Sequence, residues 1–247
     1  MNTFKRNAVW AYPLILLILI TPLSASLDLF IAKMTFYRGW SQNSSSEVGF
    51  YTTPLFDMIY LYGGLPAALI GTFSGFCVIA SVWSERLKKY RGICSVLCLT
   101  LFFGSLVITQ SILKEHWGRP RPRQIEDFGG AQKFRAYYQP QFNNTPEPSK
   151  SFPSGHSTCG FYFFCFYFLG KRYKMKALAA FGLIAAVCSG GILSVARIVQ
   201  GGHFISDAYI AALIMWLTAY YTDYLVFDAP IFSRLRKVFF GFKPIET

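Results

Sequence analysis

Six long apolar stretches, each free of charge or nearly so, constrain this chain more than any other feature. They lie at residues 9–25, 61–82, 93–113, 154–170, 177–196 and 205–227. A helix needs about 20 apolar residues to cross the hydrocarbon core of a bilayer. A spanning segment must satisfy its backbone polar groups internally, which leaves helices or closed barrels. Runs of this length select helices. Charged residues make up only 15% of the chain and the mean hydropathy is +0.35. A soluble domain carries about 25% charged residues, so a disordered chain is excluded and a soluble globular fold is disfavoured. The expected fold is all-α: a six-helix integral membrane bundle with an extracytoplasmic loop cap. It forms one domain over residues 1–247, with a core at about 93–227.

The first stretch follows Lys5 and Arg6 and ends near Ser24, Ala25 and Ser26, a pattern that a cleaved signal segment also shows. A retained helix is the expected form, because an even number of spans puts both termini on one side. Charge then orients the bundle. Fourteen of the 24 basic residues fall at the termini and in the second-to-third and fourth-to-fifth connections: Lys5, Arg6, Arg86, Lys88, Lys89, Arg91, Lys171, Arg172, Lys174, Lys176, Arg234, Arg236, Lys237 and Lys243. That side is the expected cytoplasmic one. The net charge of +12 is therefore explained by topology, and no nucleic acid is expected as a partner. The six cysteines all lie in apolar runs and form no ligand pattern, so no disulfide framework is implied.

Seven basic residues crowd into the loop of residues 114–153, on the side that should be poor in them. Long loops obey the charge rule weakly, but an anion site explains the excess more sharply. Three short motifs converge there. Lys114 ends the third span and is followed, after six residues, by Arg121-Pro122. Pro153-Ser154-Gly155-His156 opens the fourth. Arg197, His203 and Asp207 occupy the fifth-to-sixth connection. His203 and Asp207 are four apart, which stacks them on one helix face. Asp207 can then set the imidazole tautomer, although an acid in a first helical turn is also favoured by the helix dipole. Amides at Ser154 and Gly155 suit a phosphate, and an ordinary N-cap has the same sequence. Lys114, Arg121 and Arg197 are the expected phosphate-binding cations. Arg119 and Arg123 are either solvated neighbours or additions to the field. His116 lacks acid or glycine partners and is expected to be structural or interfacial. No His/Cys/Asp/Glu cluster has metal-ligand spacing, which favours a metal-independent reaction without a cofactor. A channel or transporter would carry polar groups near the span centres.

On these residues the chain resembles the type-2 phosphatidic acid phosphatase superfamily, integral-membrane lipid phosphatases related to vanadium haloperoxidases. The family's last motif has serine before the arginine; here Ala196 stands in that place. Ser194, two residues earlier, should face another direction. The resemblance implies catalysis by His203, His156 and Asp207, with Lys114, Arg121, Arg197, Ser154 and Gly155 holding the phosphoryl group and no metal. His203 would attack phosphorus to form a phosphohistidine. His156 would protonate the leaving oxygen and then assist water. A further likeness, to bacterial lipid A 4′-phosphatases, rests on residues 114–122 and 200–207, Leu27-Asp28-Leu29 and Phe36-Tyr37. It implies a phosphorylated membrane lipid as substrate, a Gram-negative inner membrane and a site on the periplasmic face. Phosphatidylglycerophosphate, phosphatidate, undecaprenyl diphosphate, phosphate transfer to another lipid, and a non-enzymatic lipid-binding or transport role remain alternatives. Residues 124–152 are expected to form a cap, whose Phe128, Phe134, Tyr137, Tyr138 and Phe142 either recognise a headgroup or line the interface. The sequons at Asn43 and Asn143 would matter only in a eukaryotic secretory pathway.

Overall fold

The computed structural model describes residues 9–36, 49–51, 53–142 and 149–229. The terminal basic residues Lys5, Arg6, Arg234, Arg236, Lys237 and Lys243, together with Arg38 and both sequons, lie outside the described residues. Among the described residues the protein is an all-α bundle without a strand. Its helices are α1 (Ala11–Thr35), α2 (Pro54–Tyr62), α3 (Leu65–Ala80), α4 (Glu85–Lys88), α5 (Arg91–Lys114), α6 (Gly155–Phe161), α7 (Phe164–Arg172), α8 (Lys176–Val199) and α9 (Ile205–Phe227). From Leu101 onward α5 is π-helical.

Five segments are long and apolar enough to cross a bilayer: α1, α2 with α3, α5, α8 and α9. The expected fourth span is instead two short helices, α6 and α7, separated at Tyr162 and Phe163. Tyr162 is fully buried there, and its hydroxyl donates to the Leu97 carbonyl at 3.0 Å. The first span also differs from expectation. It runs ten residues past Ala25, because the helix continues through a segment that is apolar on one side only. Ser24, Asp28 and Ala32, spaced by four, form its buried stripe. Ile15, Ile18, Leu19, Leu23 and Phe30 face outward, as lipid contact requires.

In a bilayer, helices gain little from burying more apolar surface, so close approach and interhelical hydrogen bonds hold them together. Both occur here. A Cβ at Gly160 would stand 2.5 Å from the Gly190 Cα, so α6 and α8 meet backbone to backbone. Thr100 bonds Thr222 at 2.8 Å, and Ser105 bonds Thr158 at 2.9 Å, linking α5 to α9 and α6. At the far end of α9, Arg172 makes forked bonds to Asp223 and also pairs with Asp228. The opposite end, where α5 stops and α6 and α9 begin, carries all three motifs.

The described parts of the loop, residues 115–142 and 149–153, fold over that end. They are pinned by the Arg123 amide on the Gly201 carbonyl (3.2 Å) and the Ser151 amide on the Arg119 carbonyl (3.0 Å). The cap aromatics divide into two groups. Phe128 is buried against Phe36 and Phe50, Phe134 packs on Phe204, and Tyr137 packs on Phe152. Phe128 and Phe134 thereby fasten the cap to the ends of α1 and α9, and the Tyr137 hydroxyl bonds Thr21 of α1. Tyr138 and Phe142 stay exposed.

Candidate active site

His203 lies in the turn between α8 and α9, just ahead of the α9 N-terminus, and is only 2% exposed. The turn is tight. Gly201 has φ of +63°, a conformation that favours glycine, and a Cβ on Gly202 would meet the Arg197 guanidinium at 2.4 Å. Asp207, in the first turn of α9, is fully buried. Its carboxylate accepts from the Ser151 hydroxyl (2.6 Å), the Phe204 amide (2.9 Å) and Arg119 Nη1 (2.5 Å). Asp207 Oδ2 lies 3.5 Å from His203 Nδ1. That exceeds hydrogen-bond length, so the carboxylate acts on the ring through its charge. Burial pushes the His203 imidazole down to about 4, against the opposing pull of Asp207. The ring is therefore neutral at pH 7. With Asp207 beside Nδ1, the favoured tautomer carries its proton there and leaves a lone pair on Nε2.

The expected cations gather around this ring. Lys114, Arg197 and His156 all lie within Coulombic range of His203, and Arg121 within range of Lys114 and His156. The arginines come from different elements: Arg121 from the loop, Arg197 from the last turn of α8. Burial, then the neighbouring Arg123, lowers the Arg121 pKa. Arg197 is held by Gln200 (2.6 Å), which in turn donates to Asp57 of α2 (3.0 Å). Nε of Arg121, Nε of Arg197 and Nδ1 of His203 are buried without a hydrogen-bond partner. The last of these faces the Asp207 carboxylate; buried donors are almost always paired, so the two unpaired guanidinium donors of Arg121 and Arg197 signal an anion position.

Ser154 caps α6, its hydroxyl accepting weakly from the Ser157 amide at 3.4 Å. Its own amide donates to the Asp207 carbonyl at 3.2 Å, which registers α6 against α9. Gly155 packs over Gln110, with no room to spare beyond a Cβ at 3.4 Å. Ser194 bonds Ser157 (2.9 Å), which in turn bonds Ser154 (2.7 Å). The Ser194 hydroxyl thus braces the N-terminal turn of α6, while Ala196 is completely buried. His116 only meets the carbonyl of Ile112, one turn back.

Several site residues carried no readable signal. Arg119, left open between solvated neighbour and field contributor, is neither. It is 1% exposed and clamped between Asp28 (2.7 Å) and Asp207 (2.5 Å), with Nε on the Arg135 carbonyl. Arg123 is the exposed one. Tyr60 of α2 has its ring 4.4 Å from His156, and Arg197 Cζ lies 4.4 Å over the same ring. Asp28 lies beyond the expected end of the first span, and only the longer helix makes it an acid inside a spanning segment, which is rarely without function or partner.

Residues 90–230 match the PAP2 superfamily. The chain is 34% identical over 146 residues to a lipid A 4′-phosphatase of Francisella tularensis subsp. novicida, covering 58% of this chain and 63% of the relative. It is 33% identical over 137 residues to a lipid A 4′-phosphatase of Rhizobium leguminosarum, covering 55% and 52%. A lipid A 4′-phosphatase of Rhizobium etli is 32% identical over the same length, covering 55% and 48%. The matches thus span less than two thirds of these curated relatives. No solved structure matches the chain significantly. The family match covers more than half of the chain and all three motifs, and on that ground this integral membrane protein belongs to the PAP2 superfamily.

Proposed function

We propose that the chain is a membrane lipid phosphatase that hydrolyses a phosphate monoester on a lipid headgroup, with lipid A as its substrate. The unpaired buried guanidinium donors of Arg121 and Arg197, beside the His203 ring, carry this reading. They provide a dry, cationic pocket beside a neutral imidazole, the arrangement that phosphoryl transfer requires. The names of the relatives support lipid A.

His203 Nε2 bonds to phosphorus as the P–O bond to the lipid breaks. His156 gives its proton to the departing oxygen; the bound phosphate's negative charge favours the protonated form of that ring. Asp207 stabilises the positive charge that develops on His203. Water then attacks the phosphohistidine, returns a proton to His156, and breaks the P–N bond to release inorganic phosphate. Lys114, Arg121, Arg197 and the Gly155 amide hold the equatorial oxygens, while the Ser154 amide, taken by the Asp207 carbonyl, sets the helix end that presents it. The lipid enters sideways between helices, so its acyl chains never leave hydrocarbon.

The test is phosphate release by purified, detergent-solubilised protein from lipid A, set against phosphatidate, phosphatidylglycerophosphate and undecaprenyl diphosphate. Loss of one phosphate from lipid A is expected, confirmed by mass spectrometry. Vanadate should inhibit, as a mimic of five-coordinate phosphorus. Among the described residues no group of three His, Cys, Asp or Glu side chains could hold a metal ion, so turnover should persist in excess EDTA. Strict Mg²⁺ dependence, or hydrolysis of every lipid except lipid A, would count against this reading.

The charge distribution supports an inner-membrane protein with cytoplasmic termini and a periplasmic site. In a cysteine-free background, an impermeant thiol reagent should label Gln141→Cys in spheroplasts. It should label Lys174→Cys only after lysis. The reverse pattern would place the site in the cytoplasm.

A further inference from the structure

We propose that Asp28, contributed by α1 outside the three motifs, is a positioning residue for the phosphoryl-transfer site, acting through Arg119 on Asp207. This rests on the phosphatase reading of that site. Asp207 alone would present a full negative charge to His203, but it is in direct contact with the Arg119 guanidinium. An isolated pair of this kind is close to neutral and would do little for a developing imidazolium. Asp28 changes that balance. Its Oδ2 takes Arg119 Nη2 at 2.7 Å and the Ser206 hydroxyl at 2.7 Å, and its Oδ1 takes the Ser206 amide at 3.0 Å. Ser206 also accepts from Arg119 Nη1 at 2.8 Å. Asp28, Arg119 and Asp207 are each at most 1% exposed. Two carboxylates therefore share one guanidinium, and the buried cluster keeps one net negative charge, with Asp207 the member beside His203.

The geometry also decides where the cluster's rigidity comes from. Arg119 Nε is fixed on the Arg135 carbonyl, and its Cζ lies 4.4 Å from the Phe204 ring centroid. The guanidinium cannot turn away from Asp207 to compensate for a missing partner. Asp28 also binds the first-turn amide of α9, one residue before Asp207. It thereby fixes both the charge and the helix end that present Asp207. Among the described residues, the other charged or titratable groups that act most strongly on His203 are Lys114, Arg197 and His156, all cationic or neutral. The negative charge that His203 meets comes from this cluster.

Asp28→Asn keeps the shape and removes the charge, while Asp28→Glu keeps the charge. Each is compared with the wild type as the full chain in detergent. Turnover is measured on lipid A, and vanadate and inorganic phosphate binding are measured by thermal shift. Asp28→Asn should lower kcat about 10- to 100-fold and leave KM within about threefold, because the phosphate-holding cations are untouched. Vanadate, which bonds to the nucleophile, should bind about tenfold more weakly, while phosphate binding stays near wild type. Asp28→Glu should recover part of both losses. Unchanged kcat in Asp28→Asn would overturn the proposal. So would equal weakening of both anions, which is the mark of a loosened fold. If the wild type releases no phosphate from lipid A but still prefers vanadate to phosphate, with that preference lost in Asp28→Asn, the substrate reading falls and this inference stands.

Discussion

His203→Ala is expected to reduce turnover by roughly four to six orders of magnitude, the scale seen when a nucleophile in a preorganised site is removed. The anion pocket of Lys114, Arg121 and Arg197 survives the change, so the variant should insert in the membrane and still bind inorganic phosphate. It should lose tight vanadate binding and any acid-labile phosphoenzyme. Turnover in the purified variant above about 1% of wild type would dismiss His203 as the nucleophile. The pH profile supplies a second check. As the proposed nucleophile, His203 can attack only when neutral, and burial holds its pKa down at about 4. A depressed base stays neutral as pH falls, until pH passes through that value. The acid limb of kcat/KM, which reports the free enzyme, should therefore lie well below the 6.5 of an ordinary imidazole. An acid limb that tracks 6.5 or above would mean the ring is solvated or governed by Asp207 more strongly than by burial.

Arg119→Leu should be the most damaging single change to the fold. Breaking a buried ion pair on one side costs about 3–5 kcal/mol, and here two buried carboxylates lose their counter-ion together. Asp28 and Asp207 would be left facing each other across an apolar side chain, along with an unpaired Arg135 carbonyl. A drop in Tm of roughly 10 °C or more is expected for a chain of this size, with loss of activity. Adding Asp28→Asn to Arg119→Leu should recover part of the stability, because one carboxylate fewer is stranded. Wild-type Tm in Arg119→Leu would show that the cluster is solvated and contributes nothing. By contrast Arg123→Leu, at an exposed position two residues past Arg121, should leave Tm nearly unchanged.

Arg119 and Arg121 mark the boundary between what could be read and what could not. Both precede a proline, and both stand between Lys114 and the cap. One holds two buried carboxylates; the other keeps an unpaired Nε at the anion site. The spacing from Lys114 singles out Arg121 along the chain, but nothing near Arg119 shows its task, because its partners, Asp28 and Asp207, lie 91 and 88 residues away. The spanning segments were legible for the opposite reason. A bilayer demands length and apolarity of each helix separately, so α5, α8 and α9 could be drawn residue by residue without knowing what they touch. The end of α1 escaped that logic, since past Ala25 the helix is amphipathic and its polar stripe answers to α9, not to lipid. The division of the fourth span at Tyr162 likewise depends on a distant acceptor, the Leu97 carbonyl. That Lys114, His156, Arg197, His203 and Asp207 gather at one end was legible because each sits at the end of an apolar span, and His203 and Asp207 are linked by helical spacing alone. How much negative charge His203 meets was not. That is set by the sharing of one guanidinium between two carboxylates, and sharing exists only once α1 has packed against α9.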